Sequence, residues 1–459
     1  MSILNKRRAI VLGAVLAVAA AGCSSSSGSS TTSSTTTPTC TTSTPAATST
    51  AAGGTTDTSS CGTKPGVAAT GTPINLGGIV TDQPGTSFTD IANMAAAYFA
   101  CVNANGGING HKIVYYIEKE QTNASQIASE AKQLVQSDHV VGIVGNTSII
   151  ECSVDSSYWA SQGFDIIDSG IAPECYSTPN SAAVNMGPRY SSDGAVQYAL
   201  TLHPSKIVFD QSNVPGTTYI AAGPNALAKA AGVPIVDDTT NVPVSDADSV
   251  AISLVSAAGK DGAVVLNFTP PDALVILQAA QKLNIEGNVK FWGCSTPCNT
   301  DFLAQSLGPK WNGKFFVNAE LTPPDPTNST TMNLYKAMLK QYGKAVSGGI
   351  GSFSQMGFTE AELIVKALNS ITSGTYTVAT VNAAIKALKD VDTGMLCQAW
   401  TYGSYSMHIP NNEDYTVTPD NGKMVIAPNG GCTPISAVDP QIAQYRAQAG
   451  TAAADPTSS

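Results

Sequence analysis

Short apolar runs rich in Val, Ile and Phe alternate along the chain with longer stretches in which apolar residues recur every three or four positions. The first half carries INLGGIV from Ile74, KIVYYIE from Lys112, VVGIVG from Val140 and FDIID from Phe164; the second carries KIVFD from Lys206, PIVDD from Pro234, AVVLNF from Ala263 and VKFWG from Val289. Runs that are continuous rather than alternating predict parallel strands covered on both faces. Between the first two strands, Ile91, Met94, Ala95, Tyr98, Phe99 and Val102 share a helical face that Gly106-Gly107 closes, and Ile127, Ala131, Leu134 and Val135 mark the next helix. Two successive sets of strand–helix units predict an α/β fold of two lobes, each a parallel sheet flanked by helices. The chain then runs through FFVNAEL and helical stretches around Met332 to Tyr342 and Glu360 to Leu368, and ends in short strands around QAWTYGSYSMHIP and KMVIAP.

In open parallel sheets ligands collect at the carboxyl ends of the strands. Those ends are small and polar here: TDQPGTS, NTSIIEC and SGIAPEC in the first half, QSNVPGTT, TPPD and CSTPC in the second. If the lobes meet along these edges, six polar loops face one another across a cleft.

Upstream of the first strand the composition changes. Lys6, Arg7 and Arg8 precede an apolar stretch, Ala9 to Gly22, that is short for a bilayer span, and small residues lead to Cys23. Ala20-Ala21-Gly22-Cys23 resembles a bacterial lipobox, which implies a signal peptide over 1–22 and a lipid-carrying Cys23 as the first mature residue. Residues 23–72 are dominated by Ser, Thr, Gly, Ala and Pro and are expected to form a disordered tether, with a second flexible tail at 449–459. The expected location is the outer face of the cell membrane, held by lipid alone, because no later apolar run approaches the length of a span. Lys+Arg number 23 against 33 Asp+Glu, an acidic balance that argues against nucleic acid as a partner.

Ten cysteines in an exported chain read as disulfides. Neighbour logic pairs Cys152 with Cys175, Cys294 with Cys298, Cys397 with Cys432, and Cys40 with Cys61. Cys101 is left over as a buried thiol among Met94, Tyr98 and Val102. The CSTPC spacing has no histidine near it, so neither a metal nor another cofactor is expected. Enzyme chemistry is not evident either: there is no phosphate-binding glycine loop, no Gly-x-Ser-x-Gly turn and no zinc-spaced histidine pair, and His111, His139, His203 and His408 stand apart.

The stretch from NLGGIV through NANGGINGHKI to VVGIVG, followed by IIDSGIAPE and by KIVFDQSNVPG with ALAKAAGVPIV, resembles the branched-chain amino-acid-binding proteins, the type I solute-binding family of ABC importers. The resemblance implies a monomer of two lobes, 73–201 with 321–397 and 202–320 with 398–448, joined by crossovers near Leu202, Glu320 and Cys397. It also implies a permease and an ATPase as partners. The lobes would close on a small molecule between Asn146, Thr147, Ser148, Ser169, Gly170 and Ile171 on one side and Pro215, Thr269 and Ser295 on the other, with Asp82 and Phe358 as further contacts. The family holds an amino acid's carboxylate with hydroxyls and its ammonium with an acid; here Ile171 stands at a Thr position, Ser295 at the acid's position and Pro215 at a Tyr position. That departure predicts a ligand other than a plain aliphatic amino acid, such as an amide, a short organic acid or an aromatic breakdown product, unless Asp82 or Asp272 replaces the missing acid. A lipid-tethered sensor of the same fold, acting through a separate transducer, is the alternative.

Overall fold

The computed structural model describes residue 58 and residues 61–324 and 328–451. The expected signal peptide with Cys23, most of the expected tether with Cys40, and the last residues of the expected tail lie outside the described residues.

The first sheet is built from β1 (Gly71–Gln83), β2 (Thr86–Ser87), β3 (His111–Glu120), β4 (Gly142–Val144), β5 (Ile166–Asp168) and β6 (Ser181–Ala183). Its parallel order is β3–β1–β4–β5–β6, with β2 folding back antiparallel on the end of β1. The second contains β7 (Ile207–Ser212), β8 (Ile235–Thr240), β9 (Ala263–Asn267), β10 (Phe291–Cys294), β11 (Phe315–Ala319), β12 (Glu413–Asp420), β13 (Lys423–Ile426) and β14 (Thr433–Pro434). Here β8–β7–β9–β10–β11 run parallel, and β12 and β13 continue the sheet antiparallel. In both lobes the first strand lies between the second and third long strands, so each sheet has its ligand-accepting crevice at the carboxyl edge.

Helices cover both sheets for the reason their spacing predicts. Asn123 caps the helix Ala124–Gln136 by accepting from the Ser125 and Gln126 amides, and Ile127, Ala131 and Leu134 point into the core. The helix Ser352–Asn369 returns to the first lobe and crosses the helix Thr89–Ala104 at Gly357, where a side chain would run into the Ile91 carbonyl. Trp159, Trp292, Trp311 and Trp400 are each fully buried.

The crossovers differ in position from the boundaries that the resemblance implies. The helix Gly187–Thr201 belongs to the second lobe, because Ala195, Val196 and Ala199 pack on Ile207 and Phe209. The first crossover therefore lies at Val184 to Gly187 rather than near Leu202; Gly187 takes a positive φ of 64° where a side chain would strike the Tyr176 hydroxyl. Residues 398–410 stay with the first lobe, since the Trp400 indole donates to the Ala183 carbonyl (3.1 Å) and the Tyr402 amide to Leu388 (2.9 Å). This moves the third crossover from Cys397 to about Asn411, and QAWTYGSYSMHIP forms an irregular segment instead of a strand. Asn411 Nδ2 donates to both the Val184 and Glu320 carbonyls at 2.9 Å, so one buried amide clasps all three crossovers.

Four disulfides join Cys61 to Cys101, Cys152 to Cys175, Cys294 to Cys298 and Cys397 to Cys432. Cys101 is thus not a free thiol: the short turn at Cys61 lies beside its helix, with the Cα atoms 6.2 Å apart, and Cys101 takes the partner that the sequence reading assigned to Cys40. Among the described residues no helix is long and apolar enough to cross a membrane.

Candidate functional site

The carboxyl edges of the two sheets face each other across a cleft with two connected compartments. The outer one holds about 490 Å³ and runs between Gln83 to Asp90 and Ser347 to Ser354 on the first lobe and Pro243, Thr269 to Asp272, Pro297 and Phe302 on the second. The inner one holds about 80 Å³ and reaches Ile149, Ile171, Asn185 and Glu320 beneath the Val214, Thr217 and Ile220 loop. Thr86, Thr269, Pro297 and Phe353 border both.

The lobes touch around this space. The Tyr219 hydroxyl donates to the Ile171 carbonyl, the Thr269 hydroxyl reaches the Gly85 carbonyl (3.4 Å), and the Ser352 amide donates to Asn299 (3.0 Å).

Of the residues singled out in the sequence, Ile171 and Thr269 line the cavities, and so does Asp272. The others are held elsewhere. Asn146 accepts from the Ile79 amide (2.8 Å), Ser148 donates to buried Glu120 (2.8 Å), and Ser169 donates to buried Glu360. Thr147 is buried and continues β1 pairing through a bridge to Val80, and the Gly170 carbonyl accepts from the Tyr176 hydroxyl (2.6 Å). Asp82 pairs at the surface with Lys119 (3.0 Å), which holds its carboxyl below the usual range. Pro215 is exposed, while its neighbours Val214 and Thr217 face the inner compartment. Ser295 is buried against Asn267 (2.6 Å), and the lining falls to Thr296 and Pro297. Phe358 faces the first lobe's core between Tyr98 (5.0 Å) and Tyr335 (5.6 Å); one and a half helical turns earlier, Phe353 reaches the cleft.

Glu320 was missed as a site residue because its place at a crossover gave it a purely structural meaning. It follows β11, is 1% exposed, and its Oε2 accepts from the Met186 amide at 2.6 Å. Burial pushes its carboxyl up to about 8. Apart from Glu320, the acids of the lining are already occupied. Asp272 accepts from the Val244 amide (2.8 Å) and Thr269, and Asp90 from the Ser347 (2.8 Å) and Gly348 (2.6 Å) amides. No Lys, Arg or His is among the described residues that line either compartment. Cys152, Asp168 and Cys175 are grouped closely enough for a metal, but both sulfurs are in a disulfide, which leaves a single ligand.

Solved structures share this architecture. The fatty acid ABC transporter substrate-binding protein from Thermomonospora curvata is 18% identical with a TM-score of 0.68, over 82% of this chain and 95% of that one. A branched-chain amino acid ABC transporter protein from Thermus thermophilus with bound valine is 14% identical with a TM-score of 0.68, over 81% and 98%. An ABC transporter solute-binding protein from R. palustris in complex with benzoate is 15% identical with a TM-score of 0.62, over 78% and 99%. At such identities the likeness establishes the type I periplasmic-binding fold. No curated protein sequence matches the chain significantly. The sequence model of the periplasmic binding proteins matches residues 73–421, which take in the parallel strands of both sheets almost whole and all three crossovers, and the chain therefore belongs to the periplasmic binding protein family.

Proposed function

We propose that this protein is an extracytoplasmic solute-binding lipoprotein that closes its lobes on a small organic molecule and delivers it to an ABC permease driven by an ATPase. The observation that carries the reading is the two-compartment cleft between lobes whose three crossovers are gathered on Asn411, the geometry of a hinge. The disposition of side chains supports binding rather than catalysis. Hydroxyls at the strand ends of the first lobe are tied into that lobe, and the two carboxylates of the outer compartment, Asp90 and Asp272, are held by backbone amides as well as by the Ser347 and Thr269 hydroxyls.

The ligand differs from a plain aliphatic amino acid on this reading, since Ser148 and Ser169 turn to Glu120 and Glu360 the hydroxyls that would otherwise be free to hold a carboxylate. Valine and benzoate, bound by two of the similar structures, both carry one. Thermal-shift screening of the body against a metabolite panel, followed by calorimetry, tests this: a binder without a free carboxylate is expected, and tight binding of leucine, isoleucine or valine would show the reading of the lining to be wrong. Lipid attachment at Cys23 is tested separately. Wild type should partition into detergent and Cys23→Ser should not, whereas a fully soluble wild-type product in the native host would reject the anchor.

A further inference from the structure

Glu320 combines three properties that no other residue of the cleft shares. It is almost wholly buried, it borders the inner compartment, and one of its two carboxyl oxygens is left open: Oε2 is held by the Met186 amide, while Oε1 makes no hydrogen bond among the described residues. Oε1 opens on the inner compartment, and a cationic donor placed there offsets the penalty that burial puts on the charged carboxylate. The remaining acids of the lining, Asp90 and Asp272, are held by backbone amides, and no Lys, Arg or His stands with them among the described lining residues. Apolar side chains stand among the polar lining, from Phe88, Ile149 and Phe353 inside to Pro271 and Phe302 outside.

Building on the solute-capture reading above, we infer that Glu320 is the specificity-determining residue of the cleft, that its Oε1 receives the ammonium of an amine-bearing ligand, and that the ligand's apolar body extends into the outer compartment. The same carboxyl then touches the ligand through one oxygen and the first crossover through the other. Ligand and hinge are read by one side chain.

The test compares two probes of matched shape and opposite charge, 2-phenylethylamine and 3-phenylpropanoate, by calorimetry on the full protein. The amine is expected to bind more tightly than the carboxylate. Glu320→Gln, which keeps an acceptor for the Met186 amide, should weaken amine binding about 10- to 100-fold, the loss expected for a charged hydrogen bond. Should that variant fail to fold, carboxyl carbon NMR on wild type replaces it, and the Glu320 resonance should move as the amine is added. Equal or tighter binding of 3-phenylpropanoate, no binding of the amine, an unmoved resonance, or amine binding unaffected in Glu320→Gln each overturns the inference. Failure of the two ideas is distinguishable: a solute of another class that closes the lobes independently of Glu320 sinks this inference and leaves solute capture standing, whereas no closure with any solute removes both.

Discussion

On the first lobe, Ser148 and Ser169 stand at the ends of neighbouring strands and turn their hydroxyls inward, to Glu120 and Glu360. What that lobe shows to the inner compartment is Phe88, Ile149, Ile171 and Phe353. On the second lobe the equivalent loops present Ser212, Thr217, Asn267 and Thr296 to the same space. The first jaw is mainly apolar, and the second sets polar groups beside Val214, Ile220 and Phe268, although the loops of both are built from the same small polar residues. On the first lobe the cause lies beneath these two serines. Glu120, Glu151, Asp168 and Glu360 are buried in the first lobe, and each needs donors that only nearby hydroxyl, indole and amide groups can supply. A polar residue at a strand end is free for a ligand only when the interior behind it makes no claim on it.

If the first lobe's polar groups are structural, breaking their setting should cost stability and spare binding. The largest effect is expected at Trp159, which is fully buried, packs edge-on to Phe164 at 5.7 Å and donates to Glu151. Trp159→Ala should destabilise the protein by about 3–5 kcal/mol in denaturant titrations. Affinity measured well below the melting temperature should stay near that of wild type. A large loss of affinity in the folded variant would break the division between the jaws.

The buried acids also set a pH dependence. Burial raises Glu151 to about 8, Asp168 to about 7 and Asp155 to about 6 in the first lobe, with Asp210 at about 7 in the second. The folded state keeps these protons at pH values where the unfolded chain has released them, near 4 for an ordinary carboxyl. Their stabilising contribution is therefore complete below about pH 4 and is lost as pH rises through about 6 to 8. The melting temperature should fall between pH 5 and pH 8.5, and Glu151→Gln should flatten the slope. A melting temperature that rises over this interval would contradict the burial of uncompensated acids.

A smaller pair of effects sharpens the comparison inside one loop. Ser169→Ala removes the donor to Glu360 and should cost about 1–3 kcal/mol of stability with little change in affinity. Ile171→Ala, two positions on, removes apolar surface that borders the cleft. It should cost about 1–2 kcal/mol of binding, read by calorimetry, with a slight change in melting temperature. The reverse assignment of the two losses would show that the loop faces the cleft with its other side.

How much of this was legible follows the same logic. The β1, β3, β4, β5 and β7 to β10 strands were visible because short apolar runs bounded by turn residues favour buried strands, and the helices because their spacing is regular. Strand β6, with the sequence SAA, and β12, which alternates polar and apolar residues, carry no such signal. Polar loops were visible as loops, but the direction of each side chain was not. Ser169 and Ile171 differ in role because Glu360, nearly two hundred residues away, lies behind one of them. Glu320 was hidden for a related reason: a residue between two lobes gains its cavity only when the chain has crossed three times.

The smallest effect bears on how the jaws meet. The Tyr219 hydroxyl, on the second jaw, donates to the Ile171 carbonyl on the first, a hydrogen bond that exists only while the lobes are together. Its removal leaves both lobes intact, because the ring of Tyr219 packs within the second lobe's own cluster near Ile220 and Leu227. Tyr219→Phe should therefore leave the melting temperature of the unliganded protein almost unchanged while lowering affinity by about 1 kcal/mol, roughly fivefold, since closure loses one net hydrogen bond. Small-angle scattering should show the saturated variant as compact as saturated wild type and the half-saturated variant more extended, because the equilibrium has shifted while its end states have not. Identical dimensions for free and saturated wild type would remove closure itself, and with it the reason for a contact between the jaws.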